Sequence, residues 1–341
     1  MTGRVAVLTA AEQFELQQSE PPSPVVGQVL VRVQECGICG SDLKMWAGTH
    51  AFMRPPIVMG HEIIGVVAAS GEGSSLAPGT PVTLFPPVGC GRCFHCRSGR
   101  EQLCESMEFH GGQRLGGLAD YVLAPETHVF EVPEAIAPPL RVLIEPVSVA
   151  VHGVERGAPA AGERCAVIGA GAIGLFTALV LRARGFEDVV VAEPLAPRRA
   201  LAQQAGLAAF DPTGRDAAAQ IRERTRPEGA DVVFECVGSE ATIATALEAT
   251  RKGGRAVVVG NAPPSLQVDG LTLQRGDRTL VGVLMYDRAD FHTAMALLAE
   301  GLLDGLEGDA LVARYQLERV GDAFAAAKAG RLEALKAVIA L

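Results

Sequence analysis

Residues 167–174 read VIGAGAIG, the pattern G-x-G-x-x-G placed directly after an apolar run and before an apolar helical stretch. The first glycine of this pattern permits a tight turn, the second lets the backbone approach a pyrophosphate, and the third lets the helix pack closely on the strand. The start of the helix adds free N–H groups that bind phosphate. The residues that we expect to contact a dinucleotide are Gly169, Gly171, Ala172, Ile173 and Gly174.

Glu193 indicates which dinucleotide binds. It lies nineteen residues beyond Gly174, at the end of the next apolar run, VVVAE. A carboxylate at this place accepts hydrogen bonds from ribose hydroxyls and repels a 2′-phosphate, so the sequence predicts NAD rather than NADP. Arg198 and Arg199 follow closely, and either could reach a 2′-phosphate. The interpretation that we favour puts both on the solvent face of a helix, with Arg198 kept as a candidate cofactor contact.

The chain divides into two parts of different character. From Gly162 onward, apolar runs of four to six residues alternate with helical stretches, as in the βαβ units of a doubly wound parallel sheet. Before residue 150, short apolar runs such as VLVRVQ and IIGVVAAS are separated by turn residues and predict a β-rich domain. The tail from Asp290 reads as helical and then as a strand, KAVIAL. The length of 341 residues also favours two domains over one core.

Charge and hydropathy exclude several classes of partner. The chain has 30 basic and 39 acidic residues, a net charge of −9, whereas nucleic acids and anionic membranes favour a basic surface. No stretch is long and apolar enough for a membrane span, and the N-terminal residues turn polar too early for a secretory signal. We therefore expect a cytoplasmic protein, in which clustered cysteines more often bind metal than form disulfides.

A first cysteine cluster lies in the stretch GCGRCFHCRSGREQLC, residues 89–104. Pairs spaced as C-x2-C wrap readily around one tetrahedral zinc ion, and four thiolates saturate it, so the site would be structural. An iron–sulfur cluster or two disulfides are the alternatives. The predicted ligands are Cys90, Cys93, Cys96 and Cys104.

A second set of metal-type residues is spread over three segments. A catalytic zinc needs three protein ligands of the Cys, His or carboxylate type and one open position for water or substrate. Each residue alone has an ordinary structural explanation, but their occurrence together with the cysteine cluster and the dinucleotide motif favours a catalytic metal. The candidates are Cys39, Ser41 and Asp42 in GICGSD, His61 and Glu62 in MGHE, and Glu145 in LIEPVSVAVH.

These motifs, in this order and spacing, resemble the zinc-containing medium-chain alcohol/polyol dehydrogenases over essentially the full chain, in the branch of the sorbitol and threonine dehydrogenases. The stretches GGLADYV and EPVSVAVHG add to the likeness. The resemblance implies an α/β protein with a GroES-like β-barrel catalytic domain over residues 1–150, completed by residues 290–341, and a Rossmann NAD-binding domain over residues 151–289. A structural zinc lobe would occupy about residues 89–105. Family members are dimers or tetramers, so we expect a homo-oligomer, with the tetramer favoured.

The resemblance also implies a role for each candidate residue. Cys39 and His61 match ligands of a catalytic zinc, and the four clustered cysteines match ligands of a structural zinc, so two zinc ions per chain are expected. Glu145 stands where alcohol dehydrogenases place a third cysteine and sorbitol and threonine dehydrogenases a glutamate. Glu62 matches the glutamate beside the zinc, which can approach or exchange with the metal. Asp42 matches the acid that holds the ligand histidine in the right tautomer.

The implied reaction is the oxidation of a secondary alcohol to a ketone, with NAD reduced to NADH. Zinc would act as a Lewis acid on the alcohol, and Ser41 matches the hydroxyl that accepts its proton. The small-molecule substrate would be a polyol, a sugar derivative or a cyclitol-like alcohol. An L-threonine 3-dehydrogenase activity is the alternative within the family, because Glu145 permits both. A relative that binds zinc and nucleotide without catalysis is the alternative from another class.

The sequence departs from the family pattern in places that bear on the substrate. Many relatives have a histidine at the position of Lys44 that completes the proton relay; a lysine whose pKa is lowered by burial, or water, could serve instead. Sorbitol-type enzymes carry an Arg-Tyr pair where VLMYDRADF has Met285 and Tyr286, and the missing arginine weakens the case for a linear polyol. Trp46 is a candidate pocket residue, although a core position explains it equally well.

Overall fold

The structure is a computed structural model that describes residues 2–341. The strands, in chain order, are β1 (Gly3–Ala10), β2 (Gln13–Ser19), β3 (Gln28–Gly37), β4 (Glu62–Ser70), β5 (Pro81–Leu84), β6 (Pro87–Val88), β7 (Glu108–Phe109), β8 (Tyr121–Pro125), β9 (Val129–Glu131), β10 (Cys165–Ile168), β11 (Val190–Ala192), β12 (Ala208–Phe210), β13 (Ala230–Glu235), β14 (Thr250–Val258), β15 (Thr279–Gly282), β16 (Val312–Gln316) and β17 (Lys336–Ala340). The helices are α1 (Gly40–Trp46), α2 (Phe94–Arg97), α3 (Ile144–Gly157), α4 (Ala172–Ala183), α5 (Ala196–Gln204), α6 (Ala217–Arg224), α7 (Glu240–Ala249), α8 (Gly270–Arg275), α9 (Arg288–Ala299), α10 (Gly308–Leu311) and α11 (Val320–Lys328). Within residues 2–341, none of these helices combines the length and the apolar character needed to cross a bilayer.

The chain forms two compact units. The first runs to Glu145 and resumes with Gly308–Leu341, and the second comprises Pro146–Glu307. The sequence predicts the return to the first domain at residue 290, but α9 stays in the second unit. Its Asp290 accepts a hydrogen bond from His152 of α3 through a buried contact of 2.7 Å between Oδ2 and Nδ1. This contact joins α9 to α3 and explains why the return comes later, at Gly308.

The first unit is built on a mostly antiparallel sheet in the order β16-β17-β3-β4-β5-β9, with β8 also paired to β3. Strand β3 is rich in β-branched residues, and its alternating side chains fill the core of this unit. Two pairings matter for the site: Gly37 of β3 lies opposite Glu62 of β4, and Val338 of β17 lies opposite Gly37 on the other side. The ends of β3, β4 and β17 are therefore neighbours.

The second unit contains a parallel sheet in the order β12-β11-β10-β13-β14-β15. Numbered from β10, this is the order 3-2-1-4-5-6 of the Rossmann fold. Strands β10 and β13 are buried along their whole length, as expected for central strands covered by helices on both faces. The predicted doubly wound parallel sheet is confirmed.

Candidate active site and metal centres

Three side chains with metal-binding atoms meet in the first unit. The donor atoms of Cys39, His61 and Glu62 all lie within 4.8 Å of one another. Cys39 directly precedes α1, while His61 and Glu62 stand at the start of β4. The pairing of β3 with β4 brings the two segments together, and His61 and Glu62 are almost completely buried. The structure thus assembles ligand types that suit a zinc ion.

Asp42 orients His61. Its Oδ2 accepts the N–H of Cys39 at 2.9 Å, and its Oδ1 lies 3.5 Å from Nδ1 of His61. Burial disfavours the charged imidazole, but the charge and hydrogen bonding of Asp42, with help from Cys39, hold the pKa of His61 well above its ordinary value. With Nδ1 facing Asp42, Nε2 is the nitrogen directed to a metal, which must displace the proton of the imidazolium to bind.

The same cluster contains buried polar atoms that find no hydrogen-bond partner among the described residues. They are Asp42 Oδ1, His61 Nδ1 and Glu62 Oε2. A buried polar atom without a partner is costly, so several of them side by side indicate that a charged group belongs there. A thiol, an imidazole and a carboxylate form a donor set that fits zinc. These residues therefore fit the metal that the sequence predicts.

Lys336 is a site residue that sequence reasoning missed. Its Nζ donates to Glu62 Oε1 at 2.6 Å and to the carbonyl of Ile38 at 3.1 Å, and the side chain is 6% exposed. Burial works against the ammonium, but attraction to Glu62 and Cys39 outweighs it and raises the pKa of Lys336. A lysine at the head of the apolar strand KAVIA is the signal that could have found it, since a buried charge usually has a partner.

Glu145, the other predicted carboxylate ligand, is placed differently. It is a buried residue in the first turn of α3, and its charge also raises the pKa of Lys336. Among residues 2–341, the cluster whose donor atoms lie within 4.8 Å contains Glu62 and does not contain Glu145. The carboxylate nearest to Cys39 and His61 is therefore that of Glu62.

Ser41 and Lys44 lie on one face of α1. They are three residues apart, and side chains at this spacing are neighbours on a helix. Both are half-buried. The carbonyl of Lys44 accepts the N–H groups of Thr49 and His50, which closes the chain after the helix. A proton accepted by the Ser41 hydroxyl thus has the Lys44 side chain as a neighbour on the same helix face.

The four clustered cysteines form a second metal-type group in the first unit. The sulfur atoms of Cys90, Cys93, Cys96 and Cys104 lie within 4.8 Å of one another, and none of these cysteines forms a disulfide. Hydrogen bonds from the backbone N–H groups of Arg92 and Cys93 lower the pKa of Cys90 to about 6. Burial and the neighbouring thiols raise the pKa of Cys96 to about 12. Four unpaired sulfur atoms so close together fit one zinc ion in a closed site.

The glycine turn between β10 and α4 has the shape that its sequence predicts. Gly169 follows β10 with φ of +92°, and Gly171 directly precedes α4. A Cβ on Gly174 would stand 1.9 Å from the carbonyl oxygen of Gly169, so only glycine permits this close approach. The N-terminal N–H groups of α4, from Ala172 and Ile173 onward, are therefore available to a phosphate.

Glu193 and Arg198 both lie at this turn. Glu193 follows β11, and its carboxylate accepts the N–H of Ala170 at 2.6 Å and that of Leu195 at 2.8 Å. A guanidinium nitrogen of Arg198 lies 3.8 Å from where a Cβ on Gly171 would stand. Arg198 is thus half-buried and directed toward the turn rather than lying on the solvent face, because α5 begins close to Glu193. The anionic and the cationic candidate are both in place for a dinucleotide.

Arg199 has a different role. It donates to the carbonyl groups of Glu193 and Pro194 at 2.9 and 2.8 Å. These bonds use the guanidinium to hold the chain that follows β11. Its contacts are thus with the backbone beside Glu193.

Trp46 lies in the hydrophobic core of the first unit. Its ring centroid is 5.8 Å from that of Phe324, and Nζ of Lys328 lies 5.3 Å from it. The side chain is buried, which matches the core explanation of this residue. The indole nitrogen is among the buried atoms for which the described residues offer no partner.

Met285 and Tyr286 follow the carboxyl end of β15, the edge of a parallel sheet at which ligands bind. Met285 has φ of +52°, a left-handed conformation that a residue with a side chain rarely adopts. Tyr286 is fully buried, and its ring stacks on Phe291 at 5.8 Å. Backbone strain of this kind, which costs about 1–3 kcal/mol, is concentrated at functional sites.

Comparison with known proteins places these features in a family. The alcohol dehydrogenase GroES-like domain matches residues 26–134, and the zinc-binding dehydrogenase domain matches residues 172–300. L-galactonate-5-dehydrogenase of Escherichia coli (strain K12) is 32% identical over 301 residues, which cover 88% of each chain. L-threonine 3-dehydrogenase of Pyrococcus furiosus is 32% identical over 78% of each chain.

A solved structure agrees with this assignment. A candidate zinc-binding dehydrogenase of Sinorhizobium meliloti 1021, bound to NADP, superposes with a TM-score of 0.88 and 29% identity over the full length of both chains. The two matched domains coincide with the β-rich first unit and the parallel sheet of the second. The chain therefore belongs to the zinc-containing medium-chain alcohol/polyol dehydrogenase family.

Proposed function

We propose that this protein is a zinc-dependent dehydrogenase that oxidises a secondary alcohol to a ketone with NAD. The observation that carries this proposal is the buried cluster of Cys39, His61 and Glu62, with donor atoms within 4.8 Å of one another and Ser41 two residues beyond Cys39. A relative that only binds zinc and nucleotide has no need to keep this combination. The proposed ligands of the catalytic zinc are Cys39 and His61 with a carboxylate from Glu62 or Glu145.

When bound, zinc supplies a Lewis acid for the alcohol oxygen, and the nicotinamide supplies the hydride acceptor. The residues of the chain orient the reactants and move the proton. Asp42 holds the His61 ring through Nδ1, so that Nε2 faces the metal position. The Oγ of Ser41 accepts the proton of the substrate hydroxyl, and Lys44 on the same helix face carries it toward solvent.

NAD is the proposed cofactor. The carboxylate of Glu193 stands at the glycine turn, where it is suited to ribose hydroxyls and repels a 2′-phosphate. Arg198 is the opposing feature, because a guanidinium directed toward Gly171 can bind a phosphate. Initial rates with NAD and NADP at equal concentration test the assignment, and a lower KM for NADP would contradict it.

The proposed substrate is a polyol, a sugar derivative or a cyclitol-like alcohol. Relatives that carry names of this kind, such as L-galactonate-5-dehydrogenase, support a polyhydroxylated secondary alcohol. The similarity to an L-threonine 3-dehydrogenase favours threonine as the second candidate. A substrate panel followed by NADH absorbance separates the two, since turnover of threonine alone would contradict the preference for a polyol-type substrate.

We propose that the protein is a cytoplasmic homo-oligomer, a tetramer rather than a dimer. Strand β15 is an edge of the parallel sheet, and exposed apolar side chains lie nearby at Val268, Leu271 and Leu284. An unpaired edge flanked by apolar residues is suited to pairing with a second copy. The unpaired thiols support a reducing compartment. Sedimentation analysis tests the assembly, and a monomer at micromolar concentration would contradict it.

A further inference from the structure

Lys336 and Glu62 form a buried ion pair within the proposed catalytic metal site. Nζ of Lys336 lies 2.6 Å from Oε1 of Glu62, and the two side chains are 6% and 0% exposed. The same Nζ donates to the carbonyl of Ile38 at 3.1 Å, one residue before Cys39. A single ammonium group therefore contacts both chain segments that carry the metal-binding side chains.

The space for this pair depends on Gly37. A Cβ on Gly37 would stand 1.8 Å from Oε2 of Glu62 and 2.9 Å from Cε of Lys336. Gly37 lies between the two strands that carry the pair, opposite Glu62 of β4 on one side and Val338 of β17 on the other. The missing side chain thus leaves a recess that the Glu62 carboxylate fills. The sheet holds this carboxylate in one place and turns it toward Lys336.

The charges around this recess explain what the lysine does. Cys39 as a thiolate, Glu62 and Glu145 bring three negative charges, and zinc brings two positive ones. If both carboxylates and the two other ligands bound zinc together, four protein ligands would fill the positions of a tetrahedral ion. The alcohol would then have no place to bind. A carboxylate that already accepts a charge-assisted hydrogen bond from Lys336 is a weaker competitor for the metal.

We propose that Lys336 is a positioning residue that withholds Glu62 from the catalytic zinc and so keeps a metal position open for the alcohol. This inference rests on the proposed function, because it requires a zinc ion beside Cys39 and His61. Lys336 acts through Glu62 and does not touch the substrate. Loss of its ammonium releases the carboxylate, which then turns to the metal as an additional ligand. Metal affinity rises while turnover falls.

The experiment measures metal affinity separately from activity. The more weakly held zinc is removed by dialysis against a chelator, metal analysis confirms that one zinc per chain remains, and zinc or Co²⁺ is titrated back against a competing chelator. Lys336→Met removes the ammonium at similar side-chain length, and Lys336→Arg keeps the charge. Lys252→Met, at an exposed lysine of the second unit, is the matched control.

The expected result is a gain in affinity for Lys336→Met of roughly tenfold, the lower end of the effects that outer partners of metal ligands have. The visible spectrum of bound Co²⁺ should change because the coordination number rises, and kcat should fall. Lys336→Arg should restore most of the affinity of the unmodified protein, and Lys252→Met should match it. Adding Glu62→Gln to Lys336→Met should abolish the gain. An unchanged or lowered affinity in Lys336→Met would overturn the inference.

A second variant covers the case in which Lys336→Met does not fold. Glu62→Gln alone should change metal affinity by much less than the roughly tenfold loss expected for a resident ligand. A loss of that size would mean that Glu62 is bound to the metal despite Lys336, which overturns the inference. Failure of the proposed function looks different: the unmodified protein would then carry only the cysteine-bound zinc and take up no further metal.

Discussion

Asp42→Asn tests how the protein orients its proposed catalytic ligand. Asparagine keeps an oxygen that can accept the N–H of Cys39, now 2.9 Å from Asp42 Oδ2, so the start of α1 should persist. The substitution removes the negative charge that lies 3.5 Å from Nδ1 of His61. The imidazole then loses the partner that keeps Nε2 directed to the metal, and zinc affinity should fall.

The size of the effect follows from the contact. A hydrogen bond to a charged group contributes about 1.5–3 kcal/mol, and the separation of 3.5 Å between Asp42 and His61 is longer than an ideal bond. We therefore expect the lower end, a loss of roughly tenfold, which is about 1.4 kcal/mol. Asp42 also raises the pKa of His61, so the variant has less proton competition. The full loss should appear at alkaline pH, where the imidazole is neutral in both proteins.

Competition between the protein and a chromophoric chelator, repeated over a pH series, measures this loss. Asp322→Asn is the control, because Asp322 is exposed and pairs only with the exposed Arg319 among the contacts of its side chain. The control should bind zinc as the unmodified protein does. Equal zinc affinity of Asp42→Asn and the unmodified protein at every pH would refute the role of Asp42 in holding His61.

Other substitutions address the cofactor, the cysteine cluster and the protonation of the site. Glu193→Ala should raise KM for NAD and relax the discrimination against NADP, because the carboxylate facing the ribose is lost; unchanged KM values for both cofactors would exclude this role. Cys104→Ser should lower the thermal midpoint before it lowers turnover, and a variant that keeps its midpoint but loses hydride transfer would reverse the roles of the two metals. In protein without the catalytic zinc, the raised pKa of His61 means that its protonated form adds stability that is complete below about pH 6.5 and is lost as the pH rises through the folded-state value. Thermal melts should show this loss, and a His61→Asn variant with the same pH dependence would argue against it.

The features that the sequence predicts well are local. The glycine turn and the cysteine cluster each lie within sixteen consecutive residues, so spacing alone places the groups near one another. The alternation of short apolar runs with helices likewise identifies the parallel sheet, because buried strands must be apolar on both faces. The fold class and the family are confirmed for this reason.

The features that the sequence does not predict depend on contacts between distant segments. Lys336 lies 274 residues beyond Glu62, and only the pairing of β17 with β3 and of β3 with β4 brings them together. The direction of Arg198 depends on how α5 starts beside the glycine turn. The boundary at Gly308 follows from the contact between His152 and Asp290, on two helices far apart in sequence. Periodicity reports burial, but it does not report which buried groups become neighbours.

Metal content per chain is the most direct test of the central claim that this protein has a catalytic zinc distinct from its cysteine-bound zinc. The unmodified protein should contain two zinc ions per chain. Cys39→Ser should contain one, keep most of its thermal stability and lose dehydrogenase activity, because the four cysteines of the cluster still hold their own metal. A single zinc in the unmodified protein, or an unchanged count in Cys39→Ser, would contradict the account.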